Sequence, residues 1–329
     1  MKAAVCHEWG GPLVLHVEER PRPALSANEV RVAVRSAGIA FQDTLLIAGK
    51  YQTKPNFPVC PGNEICAEVE ECGNGVRNLK PGDKIIALLP SGGYAEQAIL
   101  AEGSAVKIAS EIDDYDAGVL GMAYGTAYQA LVGRAQLKAG EYLLVRGAGG
   151  GVGLPAVQIG AALGARVIAV ASSKGRRERA MASGAHHAID SAEPNFRDAV
   201  FSLTGGQGAD VILDTVGREF REQVLRCVRR RGRILIVGFA GGEIPQIPAH
   251  YILNKLCSVI GVSWGYSVFL DEPANYRATL EAIVAMYEAG AIKPNISRIV
   301  SLSGVREVLA DIIANRLDGR AVIAIDRSP

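Results

Sequence analysis

The chain has 329 residues, 49% hydrophobic and 21% charged, with a formal net charge of +1. That is enough apolar side chain for a large core, and the length suggests two domains. The near-neutral balance, with no basic stripe interleaved with aromatics, excludes a general polyanion binder and a nucleic-acid role. The first residues carry no apolar signal region, and no run approaches the roughly 18 apolar residues of a membrane span, so no membrane association and a cytoplasmic location are expected. Six scattered cysteines, Cys6, Cys60, Cys66, Cys72, Cys227 and Cys257, form no C-x-x-C pair. They read as reduced, mostly buried thiols.

Residues 1–108 read as short strands and turns, a compact β domain. Val30, Val32 and Val34 alternate with Arg31, Ala33 and Arg35, the pattern of a half-buried antiparallel strand. Pro81, Gly82 and Asp83 make a turn into a strand over 84–88. Between strands, residues 41–62 read as a long loop, and Asp43, Tyr51 and Lys54 are the side chains it offers for chemistry. A helix is expected over 116–133, with Thr126 in its middle.

The stretch 143–164 (LLVRGAGGGVGLPAVQIGAALG) organises the middle of the chain. A short apolar run meets glycines at Gly147, Gly149, Gly150, Gly151 and Gly153, and apolar residues then recur at helical spacing. Strand, tight turn and helix in that order, with a second apolar run at 166–171, make a dinucleotide-binding βαβ unit. The spacing Gly147-x-x-Gly150-x-x-Gly153 is not a literal G-x-G-x-x-G, and a glycine-rich connector without ligand is the alternative reading. Gly147, Gly150, Gly151, Val152 and Gly153 are the candidate pyrophosphate cradle, using free N–H groups at a helix start.

The end of the second strand selects the nicotinamide cofactor. An acid would hold the ribose 2′-hydroxyl of NAD. Here Ser172, Ser173, Lys174, Gly175, Arg176 and Arg177 precede the first acid, Glu178. Hydroxyls and cations suit a 2′-phosphate, so NADPH is preferred; the alternative is a solvated basic first turn.

Farther on, helices are expected over 176–183, 195–203 and 219–228, and strands over 188–190, 210–213, 233–237 and 258–264. This alternation specifies an α/β fold, a doubly wound parallel sheet. Arg229, Arg230, Arg231 and Arg233 fall where a helix should end, so its dipole is the expected reason for them. Ligands sit at the carboxyl ends of such strands, which adds Ser191, Thr215, Gly238, Phe239, Ser263 and Trp264 to the cofactor candidates. Arg316 is assigned with them. Amphipathic helices around Leu280 and Leu309, then a strand over 321–325, have no second core of their own. They are expected to return to the N-terminal β domain.

These pieces in this order resemble the medium-chain dehydrogenase/reductase superfamily, and within it the zinc-free quinone oxidoreductase group that includes zeta-crystallin. The segments are 38–51 (GIAFQDTLLIAGKY), 61–64 (PGNE), 125–128 (GTAY), the glycine loop, 214–217 (DTVG), 237–245 (VGFAGGEIP) and 261–265 (GVSWG). The resemblance implies a GroES-like β-rich catalytic domain, residues 1–119 and 266–329, with an inserted Rossmann NADP-binding domain, residues 120–265. It implies hydride transfer from NADPH to a small-molecule electrophile, a quinone or enone. It also implies a homodimer joined along the Rossmann sheet edge at 258–264. Tyr51 is the candidate donor to the acceptor oxygen, and Thr126 the residue beside the nicotinamide.

Zinc-dependent relatives carry a histidine at the position of Asn63 and a cysteine cluster within 88–103, where this chain has none, so no metal is expected. The adjacent pair His186 and His187 would point to opposite faces of a strand. One departure stands out: the group usually has an asparagine at the position of Ala40. Ala40 keeps open a non-catalytic, crystallin-like NADPH-binding protein, and a second enzyme alternative is an enoyl-thioester reductase, whose longer apolar groove residues 41–58 would line.

Overall fold

In the computed structural model, which describes residues 1–52 and 54–325, the alternating segment around Val32 belongs to a longer strand, Glu29–Ile39. It is central to a seven-stranded sheet. Glu64–Cys72, Gln97–Ala101 and Arg320–Ala324 all pair with it antiparallel. Val30, Val32 and Val34 turn into a core with Ile65, Val69, Ile85 and Ile323, while Arg31 and Arg35 stay at the partly exposed face. The tail does return as expected: Ala321 lies opposite Ile39 and Ala324 opposite Ser36, and Val305, Val308 and Leu309 join the same core. This unit comprises Met1–Gly125, Trp264–Glu288 and the chain from Lys293 onward.

Two expected elements here differ. The supposed loop at 41–62 begins with a helix, Phe41–Ile47, whose first turn Asp43 closes by accepting the Ala40 N–H at 2.8 Å. The expected helix over 116–133 is broken into Asp114–Ala117, Gly121–Tyr128 and a wider turn, Gln129–Arg134. Gly118 caps the first helix and Gly121 opens the second, and each lies against a strand's side chain: a Cβ would overlap Ser36 at Gly118 and Leu88 at Gly121.

The second unit, Thr126–Ser263 with Ala289–Ile292, is built on six parallel strands. Their spatial order is His187–Asp190, Arg166–Ala171, Tyr142–Arg146, Ala209–Asp214, Val228–Ile236 and Ser258–Gly261. The chain steps outward from Tyr142–Arg146 in one direction and then crosses back to its other side. The order therefore reverses between Tyr142–Arg146 and Ala209–Asp214, and ligands of such sheets bind outside the carboxyl ends of the strands at that point.

The arginine knot has a different cause from the one its spacing suggests. The expected helix over 219–228 is a single wide turn, Arg221–Leu225, and the whole knot lies within the strand Val228–Ile236. Arg231 takes φ +64°, and the pairing register shifts between Ala209 and Val211, so the arginines ride on a bulge. Arg229 pairs with Asp210, Arg230 donates to the Asn254 carbonyl at 3.0 Å, and Arg233 pairs with Glu141 at 2.5 Å. These are strand-start partners, at the end of the sheet away from those carboxyl ends. No described helix is long and apolar enough to cross a membrane.

Candidate functional site

In the second unit the glycine loop forms as its sequence requires. Gly147 adopts φ +76°, and the N–H groups of Gly147 and Ala148 both reach the Val170 carbonyl, at 3.1 and 3.0 Å. A Cβ at Gly147 would overlap the Thr215 hydroxyl, and one at Gly153 would overlap the Gly147 carbonyl. The loop ends in the ten-residue helix Gly153–Ala162. Among the described residues no carbonyl takes the N–H groups of Gly151 and Val152, which are exposed and half-buried. Unspent donors at a helix start are what an anionic pyrophosphate needs.

The basic turn lies against that loop. Ser173 caps the helix Lys174–Ala182, its hydroxyl oxygen accepting the Arg176 N–H at 3.3 Å. The Arg176 stem runs so close to the loop that a Cβ on Gly149 would sit 2.6–2.8 Å from three of its carbons. Ser172, Ser173 and Lys174 are exposed. The acid at the end of the next strand, Asp190, pairs with Arg177 at 2.7 Å, and Arg177 also donates to the Ala171 carbonyl. Its charge is thereby offset beside the turn. The residues present fit a 2′-phosphorylated dinucleotide.

The other strand ends gather on the same side of the sheet. The Thr215 hydroxyl donates to the Arg146 carbonyl at 3.0 Å. Ala240 and Gly241 donate to the Thr215 and Val216 carbonyls, at 3.0 and 2.8 Å, which sets Gly238 and the exposed Phe239 beside that turn. The Ser191 carbonyl accepts from Gln223 at 2.8 Å. Ser263 is exposed just past the edge strand.

Two candidates are placed elsewhere. Trp264 is a core residue of the first unit, 7% exposed, with its indole N–H spent on the Gly121 carbonyl at 2.9 Å and its ring stacked on Tyr276. Arg316 also belongs to the first unit, where it pairs with Asp311 at 2.6 Å. A position beyond a strand end suggests ligand contact for Trp264; the apolar surroundings of its ring explain its burial instead. Sequence reasoning also missed a buried pair, Arg146 and Asp214, at the last positions of two apolar strands. Charge closing an otherwise apolar run was the available signal.

In the first unit, the candidate chemistry surrounds Asp43. Its carboxylate is 1% exposed and accepts from the Tyr94 hydroxyl at 2.8 Å, the Ala40 N–H at 2.8 Å and the Gly62 N–H at 3.3 Å. Burial dominates over these bonds and lifts its pKa to about 6. Tyr51 is half-buried against the core, its phenol raised by burial first and by the Asp43 charge second. No described group hydrogen-bonds its hydroxyl, whereas Thr126, half-buried in Gly121–Tyr128, is engaged. Asn63 follows Gly62 with its Oδ1 buried and unpartnered. Glu64 pairs with Arg320 and accepts the Met122 N–H at 2.9 Å. Among the described residues no three His, Cys, Asp or Glu side chains converge as a metal site would require. His186 instead uses Nδ1 to accept the Val167 N–H.

Family models match two stretches. One, described as an alcohol dehydrogenase GroES-like domain, covers residues 26–136; the other, described as a zinc-binding dehydrogenase, covers residues 151–285. The chain is 39% identical to a quinone oxidoreductase-like protein 2 homolog of Nematostella vectensis, over 98% of this chain and 88% of that protein. It resembles a solved quinone oxidoreductase of Pseudomonas syringae at 28% identity and TM-score 0.89, covering 98% of this chain and 99% of that one. A mycobacterial protein solved in complex with NADPH matches at 25% identity and TM-score 0.90, over 98% and 99% of the two chains.

Proposed function

The chain belongs to the quinone oxidoreductase group of the medium-chain dehydrogenase/reductase superfamily, and from that premise we propose that it is an oxidoreductase passing hydride from NADPH to quinones or small enones without zinc. The observation that carries this reading is the pairing of an open glycine cradle with a basic turn whose flanking acids are both engaged by cations, Asp190 by Arg177 and Glu178 by Lys174. Gly150, Gly151, Val152 and Gly153 hold the pyrophosphate, and Ser173, Lys174 and Arg176 hold the 2′-phosphate. NADPH supplies the hydride.

The protein's own task is then to orient the acceptor and stabilise charge on its oxygen. Tyr51 fits this role, because a phenol is protonated at neutral pH and can donate, and burial only moves Tyr51 further that way. Asp43 fixes the backbone on either side of that phenol, at Ala40 and at Gly62. Quinones and conjugated carbonyls suit such a site because they accept hydride without a Lewis acid, and Asn63 in place of a ligating histidine agrees with this. Ser258–Gly261 ends the parallel sheet and pairs only with Val228–Ile236 among the described residues, which supports a homodimer through that edge.

Ala40 favours a second reading, an NADPH-binding protein with little turnover, because its methyl group cannot orient an acceptor. Stopped-flow absorbance of NADPH-loaded protein mixed with ortho-quinones and short enones separates the two. Discharge by one acceptor class is the expected result. Tight NADPH binding with no discharge by any acceptor would move the second reading to first place.

A further inference from the structure

Arg146 and Asp214 are the last residues of two neighbouring parallel strands and stand directly opposite each other in the register. They flank the point where the strand order reverses. Both are almost wholly buried, 2% and 1% exposed, and Arg146 Nη1 meets Asp214 Oδ1 at 2.8 Å. What each group does with its remaining valences is informative. Arg146 Nη2 donates to the Arg218 carbonyl at 2.7 Å and to Gln223 Oε1 at 2.9 Å, and Nε donates to the same oxygen at 3.2 Å. Gln223 passes the connection on, its Nε2 donating to the Ser191 carbonyl. Asp214 accepts the N–H groups of Val216 and Gly217, both at 3.1 Å. The Arg146 backbone carbonyl receives the Thr215 hydroxyl and leads directly into Gly147.

One guanidinium, one carboxylate and one amide therefore tie together two loops that leave the carboxyl ends of separate strands, at 191 and at 215–219. The Thr215 hydroxyl on the Arg146 backbone carbonyl then links the second of these to the start of the glycine loop. Burying such a pair carries a desolvation cost, and apolar residues of similar volume are often as stabilising or more so. Its distinctive product is geometry, because a planar fork fixes direction as well as distance.

We propose that Arg146 is a positioning residue for the nicotinamide cofactor: acting through Asp214 and Gln223, it holds the Ser191 turn and the Thr215–Gly217 turn in one arrangement before the cofactor arrives, and Thr215 carries that arrangement to the start of the glycine loop. It does so without touching the ligand. The proposal rests on the reading that these loops hold NADPH, but its first test needs no cofactor.

Hydrogen exchange of the ligand-free protein is compared among wild type, Arg146→Lys, and the charge-neutral double variant Arg146→Met with Asp214→Leu. Arg146→Lys keeps the charge beside Asp214 and loses the fork, so it remains informative if the double variant does not fold. The expected result is faster exchange at 191–192 and 215–219 with unchanged protection at 143–145 in the strand core. NADPH affinity is then measured across salt concentrations. It is expected to fall roughly tenfold or more in Arg146→Lys, while the slope against salt stays that of wild type because no phosphate contact has been removed. KM for NADPH should rise with kcat nearly unchanged.

Equal loss of protection in the core strands and the loops would reduce the pair to a structural element and overturn the proposal. So would loop exchange and NADPH affinity within twofold of wild type. Failure of the wild-type protein to bind NADPH would sink the cofactor assignment and leave the exchange result to decide loop ordering by itself.

Discussion

The Tyr94 hydroxyl donates to Asp43 Oδ2 across 2.8 Å, with both side chains almost wholly enclosed. The bond joins the segment before Ala95 to the first turn of Phe41–Ile47, and the same carboxylate also holds Ala40 and Gly62. A buried acid with three donors is still an acid short of water, and its raised pKa of about 6 shows which influence wins.

The folded-state pKa of Asp43 lies above its ordinary value of 3.8, so the group binds its proton more tightly in the folded protein. Its contribution to stability is fully present below about 3.8 and is lost as pH rises through about 6. Urea unfolding of wild type and Asp43→Asn is expected to show the wild-type stability, relative to the variant, declining across that window. A difference that stays constant with pH would mean that Asp43 is not the titrating group.

Ala40 stands at the N-cap of Phe41–Ile47, where its side chain makes no capping bond. Ala40→Asn should therefore stabilise the protein by about 1 kcal/mol, and it should also raise turnover with quinones. Urea unfolding reads the first effect and steady-state kinetics the second. A gain in stability without a gain in turnover would separate the residue from the acceptor.

Arg176→Ala removes a cation and the stem that lies on Gly149. NADPH affinity should fall about tenfold to a hundredfold, the worth of a charge-assisted bond, while NADH affinity changes little. Fluorescence titration with each nucleotide gives the ratio. An unchanged ratio would move the 2′-phosphate away from this turn.

Tyr51→Phe keeps the ring against the core and deletes the free hydroxyl. A drop in kcat with quinones of about 10- to 100-fold is expected, with KM for NADPH unaltered. Wild-type rates in the variant would leave Tyr51 as packing alone.

Gly125 faces the Trp264 indole, and a Cβ there would come within 2.9 Å of its Cδ1. Alanine in an open helix gains about 0.5–1 kcal/mol over glycine. Here overlap should reverse the sign and cost about 1–3 kcal/mol. Thermal unfolding of Gly125→Ala reads that sign directly.

Much of this architecture is legible in the residues because it stems from periodicity. The runs at 143–145 and 166–171 are apolar almost throughout, as strands buried on both faces must be, and the glycines between them have no other local use. What escaped detection depends on partners distant in sequence. The enclosure of Trp264 depends on Gly121 and Tyr276, both far from it in sequence. The arginine knot looks like a helix end until Arg231 turns to positive φ and makes a bulge. Arg146 finds its meaning 68 residues later, in Asp214. Asp43, which reads as a loop side chain, becomes the hub of its surroundings only when Tyr94 and Gly62 fold onto it.

The pairing of Glu29–Ile39 with Arg320–Ala324 also sets an order on biosynthesis. The second unit lies almost entirely within 126–263, so its six strands are all available while the ribosome is still making the rest. The first unit must wait, residues 36–39 of its central strand uncovered on one flank, for a strand translated after the second unit. The nascent protein would thus carry a finished nucleotide-binding unit beside an open sheet edge, a state that invites chaperone capture. Proteolysis of ribosome-bound chains stalled near residue 310 should spare 142–261 and cut around 36–39; the reverse pattern would show that the first unit closes without its last strand.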